Sequence, residues 1–112
     1  MIGTGIIAGC HLEAIAAHPR TRLAAVADVV RPRAEAAAAP FGAAVYTDYH
    51  QMLKNEHLDA VIINLPHGLH EPCAIDCAEH GAHILLEKPM SVSPESCERI
   101  IQACERHHVL LQ

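Results

Sequence analysis

His83-Ile84-Leu85-Leu86-Glu87-Lys88-Pro89 is the stretch on which the reading of this chain turns. Its first four residues lean apolar without alternation, the pattern of a strand buried on both faces, whereas half-exposed antiparallel strands alternate. The run stops at a charged pair and a proline. Open parallel sheets hold their ligands in the crevice beyond the carboxyl ends of their strands. Glu87 and Lys88 therefore stand where a reacting group would be met. A strand that ends in solvent with ordinary surface charges gives the same local pattern, so the rest of the chain has to decide.

Near the N-terminus, Gly3-Thr4-Gly5-Ile6-Ile7-Ala8 is a G-x-G-x-x-A run. A helix is expected directly after it, over residues 6–17, ended by His18-Pro19. In such a loop the first glycine makes a tight turn and the second lets backbone N–H groups approach a pyrophosphate. The third, small residue allows close packing of helix on strand. The helix N-terminus then favours the negative charge of the phosphate. Glycine turns before helices are common, so the run needs support. Leu23-Ala24-Ala25-Val26-Ala27-Asp28 supplies it: a buried strand ending in an acid 25 residues after Gly3. The dinucleotide fingerprint places an acidic residue about 20 residues further on, where it accepts hydrogen bonds from the adenosine ribose. Capping of the following helix is the other role open to Asp28.

Downstream, strong helix formers span Arg33 to Ala39, closed by Pro40 and Gly42. Ala44-Val45-Tyr46 is a short strand. Asp48 with Gln51 fits a capping box for a brief helix reaching Asn55. Ala60 to Asn64 is a further buried strand, leading into Leu65-Pro66-His67-Gly68-Leu69-His70. A helix then runs from His70 to His80, with Gly81 placed for a left-handed cap. Beyond the His83 strand, Ser93-Pro94 marks an N-cap and first helical residue. The helix that follows shows an apolar stripe of Cys97, Ile100, Ile101 and Cys104. Val109-Leu110-Leu111 begins a last strand. Strands alternating with helices predict an α/β fold, a doubly wound parallel sheet of the Rossmann type.

Composition excludes several other classes. With 112 residues the chain makes one small domain, and with only 3% aromatics its core must be Ala, Val, Ile and Leu. A net charge of −5 and the absence of a basic cluster argue against a nucleic-acid or anionic-membrane surface. No apolar run approaches the roughly 20 residues of a membrane span. Ile7-Ala8-Gly9-Cys10 has the look of a lipoprotein cleavage site, but no basic residue precedes it and the apolar run is short. The five cysteines lack C-x-x-C spacing and fit small buried thiols in a reducing cytoplasm. Cys73, Cys77 and His80 on one helix face form a metal-site alternative, which Gly81 separates from His83. We expect no metal.

Taken together, Gly3/Gly5/Ala8, Asp28, Pro66 with His70, and Glu87-Lys88-Pro89 after a buried strand resemble the glucose-fructose oxidoreductase/inositol dehydrogenase/rhizopine catabolism family. The resemblance covers essentially the whole chain and implies its N-terminal nucleotide-binding domain, residues 1–112. It implies a cofactor, NAD or NADP, and hydride transfer at a hydroxyl of a sugar, cyclitol or related polyol. Cofactor contacts fall on Gly3, Thr4, Gly5, Ile6, Ile7, Asp28, Leu65, Pro66, His67, His70, Glu87, Lys88 and Pro89. By the same resemblance Lys88 is the catalytic residue near the nicotinamide, Glu87 helps fix the site, and the Lys88–Pro89 bond is a candidate cis peptide. His67 departs from the family's more frequent Asn. The family also implies a C-terminal substrate domain, with further catalytic residues, and a homo-oligomeric parent protein. Against that pattern the chain is expected to be short at both ends, with its first strand reduced to Met1-Ile2 and a gap left that Leu23–Asp28 and Ala60–Asn64 cannot both bridge. A nucleotide-sensing regulatory module and a non-functional fragment are the alternatives to an enzyme's cofactor half. Asp28 predicts NAD over NADP, with Arg31 and Arg33 as counter-evidence.

Overall fold

The computed structural model describes all residues from Met1 to Gln112, in two compact units, Met1–Glu56 and His57–Gln112. The first contains α1 (Ala8–Ala17), β1 (Ala25–Ala27), α2 (Arg31–Ala38), a 3-10 turn at Ala39–Phe41, β2 (Ala44–Tyr46) and α3 (Tyr49–Asn55). Strands β1 and β2 run parallel, with Ala25, Val26 and Ala27 opposite Ala44, Val45 and Tyr46. The other edge of β1 is taken by the first three residues, where Ile2 bridges Ala27 in parallel. The terminal ammonium donates to the Ala25 carbonyl at 2.9 Å. The Ala27 N–H donates to Met1 O at 2.9 Å and the Gly3 N–H to Ala27 O at 2.8 Å. The edge of Leu23–Asp28 expected to lack a partner is therefore paired. Ala25 and Ala27 turn their polar groups to Met1–Gly3, while Ala24 and Asp28 turn theirs to β2. With both edges paired, all three β1 residues are buried.

Alanine sets the packing of this unit. Ala34 and Ala38 are fully buried where α2 packs on β1 and β2; with nothing beyond Cβ they let the helix backbone come close. Gly42 (φ 62°) ends the segment. Asp48 caps α3 as expected but makes no box with Gln51. The His50 backbone N–H, at 2.9 Å, and its ring Nδ1, at 2.8 Å, converge on the same Asp48 oxygen instead. The first helix begins two residues later than expected, because Ile6 and Ile7 belong to the exposed glycine loop.

The second unit contains β3 (Ala60–Ile63), a 3-10 turn at His67–Leu69, α4 (His70–Glu79), β4 (His83–Leu86) and α5 (Pro94–Arg106). Strand β4 is parallel to β3, from Ala60 opposite His83 to Ile63 opposite Leu86. Its far edge carries residues 110–112. Ile84 N–H donates to Leu110 O, Gln112 N–H to Ile84 O and Leu86 N–H to Gln112 O, all at 2.8–2.9 Å. The strand is thus paired on both edges, but the unbroken apolar run is not buried on both faces. Ile84 is buried, Leu85 and Leu86 are half-buried and His83 is exposed. One helix of this unit, α4, packs on β4, and alternate side chains cannot all reach it.

Gly81 (φ 75°) turns the chain out of α4 through the left-handed region that its missing Cβ permits. Ser93 caps α5 with Pro94 in its first turn, and the box is closed by Ser96 in place of a glutamate. The α5 seam is also shifted from the expected stripe. Ser96, Ile100, Ala103 and Cys104 are buried, whereas Cys97 is half-buried and Ile101 is 36% exposed. Helix α5 packs on α4, and Arg99 donates from Nε and Nη2 to the two carboxylate oxygens of Glu71 across that interface. No helix is long and apolar enough to cross a membrane.

All five cysteines are free. Cys73, Cys77 and Cys104 are buried, Cys97 is half-buried and Cys10 is exposed. The Cys73/Cys77/His80 metal alternative is not assembled, because the His80 ring turns to the Asp76 carbonyl at 2.8 Å on the exposed side of α4. The Cys73 thiol is held neutral by its hydrogen bond with Cys77, then by burial.

Candidate nucleotide site

In the first unit, the glycine loop and the end of β1 form one cluster. Gly3 has φ 85°, so a side chain there would be strained. Gly5 has nothing within 4 Å of where a Cβ would sit, and Gly5, Ile6 and Ile7 are exposed. Ala8, the third small position, is buried at 2% exposure. Helix α1 starts without a side-chain cap at Ile7. Such an end presents backbone N–H groups that lack intrahelical partners.

Asp28 is tied into this loop. Its Oδ2 accepts from the Thr4 N–H at 2.8 Å and from Thr4 Oγ1 at 2.6 Å, and its Oδ1 accepts from the Val30 N–H at 2.8 Å. A carboxylate oxygen takes about two donors, so Oδ2 is filled and Oδ1 keeps one acceptor direction. Burial alone would raise the Asp28 pKa. Hydrogen bonds from the Thr4 hydroxyl, the Val30 N–H and the Thr4 N–H, with the charge of Arg33, outweigh it and hold the carboxyl below its ordinary value. Asp28 does not cap α2, whose N-cap is Val30 with no side-chain bond. The Thr4 hydroxyl is a contact that the sequence reading missed, although a hydroxyl beside the first glycine and an acid at the strand end were both visible. Arg31, the counter-evidence for NADP, lies on its own helix against Glu35 at 2.8 Å.

In the second unit, the expected residues lie on the segments that follow β3 and β4. After β3, Leu65 and Pro66 lead into the His67–Leu69 turn, closed by Leu69 N–H to Pro66 O at 2.8 Å. After β4, the Glu87 N–H donates to Ile63 O at 3.1 Å and the Lys88 N–H to Glu87 Oε2 at 3.2 Å. Lys88 is exposed, and the Lys88–Pro89 bond is cis, as the resemblance suggested.

His70 joins the two segments. Fully buried, it places Nε2 2.7 Å from Leu65 O and Nδ1 3.1 Å from Pro89 O and 3.3 Å from Met90 O. The exposed His67 ring stands edge-on to it, centroids 5.7 Å apart. The sequence placed His70 in the site but gave no sign of these partners, since all of them are backbone carbonyls.

Comparison with known proteins shows the family and the fold. The model of a family described as an oxidoreductase family with an NAD-binding Rossmann fold matches residues 1–112. Inositol 2-dehydrogenase from Rubrobacter xylanophilus is 32% identical over 104 residues, which make up 92% of this chain and 30% of that protein. The WlbA dehydrogenase from Bordetella pertussis, solved with NADH and UDP-GlcNAcA, superposes with a TM-score of 0.94 at 35% identity, over 98% of this chain and 34% of that one. A variant of KijD10, a 3-ketoreductase from Actinomadura kijaniata solved with TDP-benzene and NADP, gives a TM-score of 0.91 at 30% identity, over 98% and 35%. The chain thus spans about a third of the length of the relatives it matches. A doubly wound nucleotide-binding fold, a glycine turn tied to a strand-end aspartate and a Glu-Lys-Pro segment after a parallel strand are accounted for together: the chain belongs to the glucose-fructose oxidoreductase/inositol dehydrogenase/rhizopine catabolism family of oxidoreductases, with its NAD-binding Rossmann fold.

Proposed function

We propose that residues 1–112 are the dinucleotide-binding domain of a larger oxidoreductase, which moves hydride between a nicotinamide cofactor and a hydroxyl of a sugar, cyclitol or related polyol. The observation that carries this reading is Asp28, an anionic carboxylate fastened to the Gly3–Gly5 turn with one acceptor direction left on Oδ1. That direction suits a ribose hydroxyl. The open space at Gly5 and the uncapped start of α1 suit a pyrophosphate. NAD is favoured over NADP, because a 2′-phosphate would meet the Asp28 charge.

In this reading Gly3 to Ile7 and Asp28 hold the adenosine and pyrophosphate half of the cofactor. Leu65, Pro66, His67, His70, Glu87 and Pro89 serve its nicotinamide end. The bound cofactor supplies the hydride acceptor or donor. Lys88 is the catalytic residue: its ammonium, a donor only, hydrogen-bonds the substrate oxygen and stabilises its alkoxide character as the C–H bond breaks. Glu87, bonded to the Lys88 backbone, orients that residue. The family relationship supports a homo-oligomeric parent, and the five free thiols suit a cytoplasmic setting.

The test is an NADH titration followed by fluorescence. Saturable binding is expected, weakened roughly tenfold by Asp28→Ala, which removes about one hydrogen bond's worth of affinity. Unchanged affinity in that variant would refute the assignment of the ribose to Asp28.

A further inference from the structure

His70 is one of two buried polar side chains, and the other, Ser96, is satisfied by hydroxyls and backbone around it. The His70 ring is different. Both of its nitrogens face carbonyl oxygens, Leu65 on the Nε2 side and Pro89 with Met90 on the Nδ1 side. A carbonyl can only accept a hydrogen bond. A neutral imidazole carries one N–H and presents a lone pair at its other nitrogen. A neutral ring therefore leaves one of these sides with lone pair against lone pair, and a doubly protonated ring satisfies both.

We infer that His70 is a positioning residue for the Lys88–Met90 segment and that it works as an imidazolium, clamping the residues after β4 to the residues after β3. Burial opposes the charge, and three carbonyl dipoles aimed at the ring oppose that cost. Of the charged groups nearby in sequence, the Lys88 ammonium, one residue before Pro89, is a like charge that stands exposed to solvent, and the two carboxylates are held elsewhere. Glu71, next on α4, is bound by Arg99 of α5, and Glu87 bonds the Lys88 backbone. The exposed His67 ring also stands edge-on to it.

The two sides of the clamp are unequal. On losing a proton the ring keeps N–H at Nε2, where the bond to Leu65 is short, and gives up Nδ1. The Pro89 and Met90 contacts are then released while Leu65 stays bound. The geometry just past Lys88 follows the protonation of a fully buried ring. The bearing of this on turnover rests on the role proposed for Lys88; the protonation of the ring does not.

The experiment is long-range proton–nitrogen NMR on the histidine-labelled chain from about pH 5 to about pH 9, a range centred on the ordinary imidazole value. His70→Gln assigns the signals, and NADH binding is measured on the same samples. Both ring nitrogens should carry protons at the acid end. The Met90 amide signal should move with the same midpoint as any loss of the Nδ1 proton, or stay fixed if none is lost. A ring with a single N–H throughout, or a Met90 amide indifferent to the His70 titration, overturns the inference. A single N–H in a chain that binds NADH refutes the clamp alone. A doubly protonated ring in a chain without NADH binding refutes the nucleotide reading alone.

Discussion

Replacing Thr4 by valine tests the link between the glycine turn and Asp28. Valine keeps the β-branched shape and the backbone N–H bond at 2.8 Å but deletes the hydroxyl donor 2.6 Å from Oδ2. A hydrogen bond to a charged group contributes about 1.5–3 kcal/mol. Thr4 and Asp28 are both half-buried, so water replaces part of what is lost, and we expect Thr4→Val to cost about 1 kcal/mol at neutral pH. The pH dependence carries the sign. Asp28 is depressed in the folded state because the Thr4 and Val30 bonds and the Arg33 charge outweigh burial. A depressed carboxyl stabilises the fold above its unfolded pKa of about 3.9, and that stability is lost as pH falls through the lower, folded value. Valine lets the folded value rise, so the wild-type advantage should be full at neutral pH and shrink in acid. Urea unfolding of both proteins at neutral pH and near pH 3.5, with carbon NMR titration of the Asp28 carboxyl, measures each part. An Asp28 that titrates at the same pH in both proteins, or equal destabilisation at both pH values, would show that the hydroxyl does not hold the charge.

Three further outcomes are expected. Titrated side by side, NAD should bind more tightly than NADP, and Asp28→Ala should narrow the difference; tighter NADP binding by the wild type contradicts the reading. In the complete enzyme, Lys88→Ala should lower kcat by roughly 10²–10⁴, the usual range for a positioned proton-transfer group, with cofactor affinity little changed, and near-normal turnover would leave Lys88 a structural role. Ser93→Ala should cost about 1 kcal/mol in a thermal melt, because it removes the side-chain half of the α5 capping box; an unchanged melt would mean that Pro94 and helix packing set the start of α5 without the cap.

What could be read from the sequence follows from where the physical causes lie. The Gly3–Ala8 loop, the Ser93-Pro94 helix start and the Gly81 turn were legible because each depends on residues a few positions apart whose side chains, or lack of them, act on the local backbone. Asp28 was legible as a strand-end acid. Its bonds to Thr4 were not, because a residue pair so distant in sequence meets only once Met1–Gly3 has paired with β1. The burial of β4 was overstated because an apolar run shows which side chains could be covered and not what covers them: Leu85 and Leu86 are only half-buried and His83 is exposed. His70 lies furthest from view. Its partners are the carbonyls of Leu65, Pro89 and Met90, and every residue has a carbonyl, so no residue type at those positions signals the contact. A buried ring held only by backbone acceptors can be recognised only after the backbone is placed, and this is also why its protonation state has to be argued from hydrogen-bond chemistry.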